Sequence, residues 1–179
     1  MLSIKIICVG KLKEQFYFDA SKEFEKRLTA YCKLEIMEIP EYRLPAGSGK
    51  FTIHNSQFTI EDGIACKQNA HVRIALDKER IAIEKAVPAG TLTVALCIEG
   101  RQMSSDEFSA FLSECAVHGA SRLCFIIGGS NGLHNKIKMA ADMHMSMSKM
   151  TFPHNLARIV LLEQLYRAFN ITEGGKYHK

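Results

Sequence analysis

Three runs in this chain are apolar at almost every position: IKIICV at 4–9, LTVALCI at 92–98 and LCFII at 123–127. A strand with one wet face alternates apolar and polar residues, whereas an almost unbroken apolar strand is covered on both faces. A fourth strand pattern, LEIMEI, occupies 34–39. Between these runs lie residues at helical spacing. Phe16, Ala20, Phe24, Leu28 and Tyr31 mark a helix over 14–32, and Phe108, Phe111, Leu112 and Cys115 mark one over 104–118. The second opens with Ser104 and Glu107 at the spacing of a capping box. A last helix over about 155–170 carries Leu156, Ile159, Val160, Leu162, Leu165, Tyr166 and Phe169. Strand and helix alternate, which predicts an α/β fold with a mainly parallel sheet flanked by helices.

The chain of 179 residues suits a single domain, 1–179, large enough to bury a core without staples. Residues 41–75, which follow Pro40 and contain Pro45 and the stretches PAGSGK and FTIHNSQFTIEDG, read as a long variable loop. The loop has room for a hairpin at 51–60 and is followed by a helix near 76–87. Residues 143–153, MHMSMSKMTFP, alternate Met with polar residues and then reach Pro153. They form either a short strand or an extended loop, and their methionines serve either ordinary core packing or an adaptable apolar wall.

A net charge of +4 permits an anionic partner without demanding one. The six cysteines make no CxxC pair and no zinc-finger spacing, and Cys8, Cys97 and Cys124 sit inside apolar runs. They read as reduced core thiols, which points to a reducing, cytoplasmic location. No apolar run reaches transmembrane length, the N-terminus lacks a signal-peptide pattern, and no metal cluster emerges. The expectation is therefore no membrane and no metal. His118 and His144 read as helix-end or surface residues, and His54 and His71 fall in the variable loop.

The run FIIGGSNGLH at 125–134 leaves its strand through Gly128 and Gly129, with Gly132 three positions on. It is not a dinucleotide fingerprint: the first strand runs into Gly10, Lys11, Leu12 and Lys13 with no second glycine. It is not a Walker loop either, because Leu133 and His134 follow Gly132 where Lys and Ser or Thr would be needed. Ser130 in GGSNG does not match a GxSxG nucleophile elbow. Two readings of the loop stand at this point: a strand-to-helix turn needing positive φ, or a backbone opened to a ligand without phosphates. Three segment ends, LCIEGRQMSS, IIGGSNGLH and SKMTFPH, share the carboxyl edge of a parallel sheet, where α/β folds place their ligands. Main-chain groups and apolar walls there suit a flat ligand such as an adenine better than a triphosphate.

At these residues the chain resembles a known family. FIIGGSNGL, SKMTFPH, ARIVLLEQLYRAFNI and the terminal KYHK, together with the opening KIICVGKLKE and the EKRL helix end, resemble the RlmH family of SPOUT-class methyltransferases. The resemblance covers nearly the whole chain and thins over 41–75. It implies a C-terminal trefoil knot, a homodimer, and S-adenosylmethionine as cofactor. It also implies methylation of N3 of a pseudouridine in bacterial large-subunit (23S) ribosomal RNA, within the ribosome. Carried over by motif, the cofactor site takes in Leu96, Gly128, Gly129, Met147, Ser148, Lys149, Met150, Thr151 and Phe152. On this view the glycines admit an adenosyl group, and valine at 129 is expected to block it while leaving the fold largely intact.

N3 of pseudouridine becomes nucleophilic only as its proton leaves, so a base or a cation beside the forming anion is required. The expected catalytic group is His178 as base, Tyr177 stacking on or hydrogen-bonding the target, and Arg167. His154, Arg158 and Lys179 are the expected RNA contacts. A non-catalytic ribosome-binding factor and a small-molecule enzyme using a nucleotide are the alternatives; binding of S-adenosylmethionine discriminates against both.

Overall fold

The computed structural model describes residues 1–42, 70–175 and 177, except for the side chains at 70 and 71. The elements run β1 (Leu2–Val9), α1 (Gln15–Leu28), β2 (Cys32–Ile39), α2 (Ala70–Ala86) and β3 (Leu92–Gln102). They continue as α3 (Ser105–Val117), β4 (Arg122–Ile127), α4 (Asn135–Ala140), β5 (Met143–Ser146) and α5 (His154–Thr172). The five strands form one sheet in the order β2-β1-β4-β3-β5, with every pair parallel.

Period-two packing sorts the apolar runs between two cores. Ile4, Ile6 and Cys8 of β1 and Leu123, Phe125 and Ile127 of β4 face the layer of α1, α3 and α5. Ile7, Val9, Cys124 and Ile126 face the opposite layer, where Ile83 of α2 and Ile137 of α4 pack. Both faces of the two central strands are therefore dry, as their near-continuous apolar sequences require. The connections that step towards β2 carry α1 and α3, and those that step towards β5 carry α2 and α4. A constant crossover hand demands that segregation. Burial pushes the Cys8 thiol up to about 12 and the Cys124 thiol to about 11, so both stay protonated and behave as small hydrophobes.

Several boundaries differ from the sequence-based expectation. The first helix ends at Leu28, and Cys32 already belongs to β2, because Tyr31 leaves the helix to stack on Phe169 with ring centroids 5.6 Å apart. The helix expected near 76–87 begins at Ala70, which brings His71 out of the loop and into α2. The proposed hairpin at 51–60, His54 and Cys66 lie outside the described residues. Residues 143–146 form a strand, and β3 runs on to Gln102. The short α4 was not anticipated; its N-cap is His134, whose side chain accepts from the Lys136 N–H.

Candidate functional site at the carboxyl edge of the sheet

β4 ends at the centre of the sheet, and the chain turns at once. The Gly132 N–H donates to the Gly129 carbonyl at 2.9 Å, and Gly132 takes the left-handed φ of +74° that glycine adopts without cost to a side chain. A Cβ at Gly128 would lie 2.5 Å from the carbonyl carbon and oxygen of Gly132 and 2.8 Å from the Leu133 nitrogen. Gly128 thus lets the loop fold back on itself. A Cβ at Gly129 would stand 2.9 Å from Val9 Cγ1 and 3.4 Å from Glu41 Oε1. The space beside Gly129 is thus occupied by side chains of the protein's own β1 and of Glu41, which valine at 129 would have to displace.

Glu41 follows β2 and reaches across β1 to the glycine turn. Its Oε1 accepts from the Ser130 hydroxyl at 2.5 Å and from the Ser130 N–H at 3.1 Å. The Ser130 hydroxyl is the main reason the carboxyl is held below its ordinary 4.5; His154 and Lys13 add smaller electrostatic support. A carboxylate with a depressed folded pKa stabilises the fold above its unfolded value and loses that contribution as pH falls through the folded one. Glu41→Gln is expected to lower the melting midpoint at pH 7 by about 2–4 °C, from a charge-assisted bond worth about 1 kcal/mol after solvent screening. The difference between variant and parent should shrink as the pH is lowered through 4.5, which differential scanning fluorimetry reads directly. A gap that is constant from pH 7 to pH 3.5 would refute the clamp.

On the other side of the glycine turn, β3 and β5 lose register. Leu96 and Arg101 both pair with Met145, so Cys97–Gly100 leave the ladder. The excursion is closed by an ion pair between Glu99 and Lys138 at 2.5 Å, and it needs glycine at 100, where a Cβ would meet the Met145 backbone at 2.6 Å. Beyond it, Ser104 caps α3 through the expected capping box, its Oγ accepting from the Glu107 N–H and its N–H donating to the Glu107 carboxylate. A cavity of about 290 Å³ opens here, walled by Met103, Phe108, Met145, Met147 and Val160, with Ser104 and Gln164 among its polar groups. The Ser105 hydroxyl donates to Gln164 Oε1 at 2.8 Å, and Gln164 donates in turn to Glu163 at 2.7 Å.

Leu96 pairs with Ile127 on one side and Met145 on the other, so Gly128 and Met147 lie one and two residues beyond its two partners. Met147 lines the cavity directly. Ser148 accepts from the Met150 N–H at 3.0 Å, and its carbonyl accepts from the Ser146 hydroxyl at 2.8 Å, which shapes the turn that follows β5. Lys149, Met150, Thr151 and Phe152 are exposed.

The remaining expected site residues separate along α5. His154 sits at its start against Gly10 and near Glu41. Arg158 is buried and bound to Glu38 at 2.6 Å, which replaces the RNA contact expected of it with an interior ion pair. Arg167 lies thirteen residues beyond His154, about 20 Å along the helix axis. It donates to Glu163 at 2.9 Å and places its guanidinium 4.7 Å from the Tyr177 ring centroid. Tyr177 also meets Tyr166 edge-on and donates to Glu163 at 3.2 Å; burial and that carboxylate raise its pKa, so the phenol stays a donor. His178 and Lys179 lie outside the described residues. Sequence reasoning missed Glu41 and Ser130, whose partnership spans 89 positions and leaves no local pattern.

Among the described residues no group of three or more His, Cys, Asp or Glu could hold a metal ion, and no helix is long and apolar enough to cross a membrane. The family model described as "Predicted SPOUT methyltransferase" matches residues 2–178. The ribosomal RNA large subunit methyltransferase H of Streptococcus pyogenes (serotype M5, strain Manfredo) is 40% identical over 178 residues, covering 99% of this chain and 100% of the relative. The protein of the same name from Clostridioides difficile (strain 630) is 39% identical with the same coverage. Among solved structures, a probable methylase family protein from Haemophilus influenzae Rd KW20 aligns with TM-score 0.54 and 14% identity, over 100% of this chain and 72% of that one. A probable methyltransferase from Bordetella pertussis Tohama I gives TM-score 0.54 and 12% identity over 94% and 95%. At such identities the two structures attest the fold alone.

Proposed function

We propose, for a chain that belongs to the SPOUT methyltransferase family, methylation of N3 of a pseudouridine in large-subunit ribosomal RNA, with S-adenosylmethionine as donor. The chain is a methyltransferase, and ribosomal RNA is the substrate named for its relatives along their full length. Family membership also carries the trefoil knot of the C-terminal segment and the cytoplasmic setting of the ribosome. The observation that supports the cofactor is the donor set of the 290 Å³ cavity: thioether and aliphatic walls, a few hydroxyl and amide groups, and no cluster of cations to meet a polyphosphate.

S-adenosylmethionine brings a methyl group already activated on a sulfonium, so the protein's task is alignment and removal of the N3 proton. Leu96, the Gly128–Gly129 backbone and the turn Met147–Phe152 would hold the adenosyl part, while Met103, Phe108 and Val160 exclude water from beside it. His178 accepts the N3 proton, Tyr177 holds the uracil ring, and Arg167 with Lys179 stabilises the charge left behind. His154 and Lys179 meet RNA phosphates; Arg158, fixed to Glu38, orients the start of α5 instead. The tail of one chain works on the cofactor edge of a second, in a homodimer. Half-buried Leu156, Ile159 and Val160 with exposed Met150 and Phe152 supply its apolar contact. The separation of Arg167 and His154 along α5 supports a shared site.

The test is to incubate the protein with methyl-labelled S-adenosylmethionine and ribosomes, then digest the RNA to nucleosides. Label in N3-methylpseudouridine is expected; label elsewhere refutes the nucleoside assignment, and absence of transfer with intact cofactor binding refutes the substrate.

A further inference from the structure

A second cavity, about 350 Å³, opens at the same edge on the far side of the glycine turn, lined by Gly10, Lys11, Lys13, Pro40, Glu41 and His154. Nothing in the methyl-transfer reading uses its two lysines. Both are exposed, and among the described residues neither is ion-paired. The cavity also holds the first residue of α5, whose N-cap is Pro153 and provides no side-chain cap. The first amides of that nineteen-residue helix are therefore open to an acceptor, at the positive end of its dipole. One acidic group, Glu41, shares the lining, and its carboxylate is already engaged by Ser130.

We infer that this cavity binds a phosphodiester of the substrate RNA, with Lys11 and Lys13 as its cations and His154 as a further donor. Two ammoniums less one carboxylate leave a single net positive charge, which matches a phosphodiester monoanion rather than a nucleoside polyphosphate. The surroundings favour a nucleic-acid strand over free phosphate. Phe16 and Phe18, 62% and 47% exposed, follow within the first turn of α1 and offer faces on which unpaired bases stack. Lys22, paired with Glu25 at 2.9 Å, lies 5.7 Å from the Phe18 ring centroid. Through Glu41 the cavity adjoins the glycine turn, so a strand anchored here runs beside the cofactor edge.

The inference rests on the ribosomal RNA reading above, and the experiment separates the two. Binding to purified large ribosomal subunits is measured across potassium chloride concentrations for the parent, for Lys11→Ala/Lys13→Ala, for Lys11→Arg/Lys13→Arg, and for the control Lys33→Ala/Lys85→Ala. Calorimetry with S-adenosylmethionine runs in parallel. The alanine pair is expected to weaken binding about tenfold and to make the log–log salt slope shallower by about 2. KM for ribosomes should rise while kcat and cofactor affinity hold; the arginine pair should restore most of the loss and the control should change little. An unchanged slope and affinity in the alanine pair, while the parent binds and methylates subunits, overturns the site but not the function. Melting of the parent and the alanine pair is also compared with and without inorganic phosphate; a phosphate-induced shift that the alanine pair loses while its RNA binding holds identifies an anion site unrelated to RNA, and also overturns it. A parent that neither binds nor methylates subunits overturns the function and the site together.

Discussion

Removing residues 176–179 is expected to abolish methyl transfer, by at least about 100-fold, the loss that follows removal of a positioned acid–base group. Affinity for S-adenosylmethionine should be retained. The cavity explains the split. Its Gln164 wall is held by Ser105 and Glu163, and Glu163 keeps Arg167 after Tyr177 is gone. The deletion removes the aromatic face, the titratable imidazole and the terminal cation, while leaving the strand ends in place. Complementation tests the shared site. A heterodimer of the truncated chain with one carrying Met147→Arg, which fills the cavity, should regain one working site. If subunits exchange and activity stays absent, the site is not shared; if the truncated chain alone remains active, the tail has no catalytic part.

Gly128→Ala is expected to cost about 2–3 kcal/mol of stability, the scale of forced overpacking in a tight interior, and to weaken cofactor binding more than tenfold. One methyl group suffices because the added carbon would stand 2.5 Å from Gly132 backbone atoms rather than from a side chain that can swing away. Gly132→Asn is the informative contrast. Gly132 has open space around its Cβ position and a φ of +74°, which asparagine tolerates better than most residues. Its melting temperature should fall by only a few degrees. Chemical denaturation of both variants with calorimetric titration of S-adenosylmethionine checks the pair. A Gly128→Ala protein with parental stability and affinity would show that the turn moves freely and does not set the site.

Much of the scaffold was legible locally. The nearly unbroken apolar runs IKIICV, LTVALCI and LCFII predicted strands dry on both faces, and β1, β3 and β4 are the inner strands of the sheet. β1 and β4 feed two cores, whereas the end of LTVALCI leaves the ladder and exposes Ile98. Ser104 and Glu107 predicted a helix start that is found with both of its hydrogen bonds. The six-residue α4 was invisible because NKIKMA completes too few turns to show a period. The end of α1 was misplaced because Tyr31 fits the helical spacing but is drawn away by Phe169, a contact no window around residue 31 contains.

The sequence by itself determined the class of the fold, the three segments that end at one edge, and the absence of a phosphate-binding motif in the glycine loop, since each depends on spacing within a few turns of chain. Only the tertiary structure decided what those glycines face. Gly128 yields to its own loop, Gly129 to Val9 and Glu41, and Arg158 to Glu38, 120 positions away. Local periodicity records which side of an element is apolar; it does not record which strand lies beside which. The order β2-β1-β4-β3-β5 brings the end of β2 past β1 to the glycine turn, and so creates both the Glu41–Ser130 clamp and the basic cavity beside it.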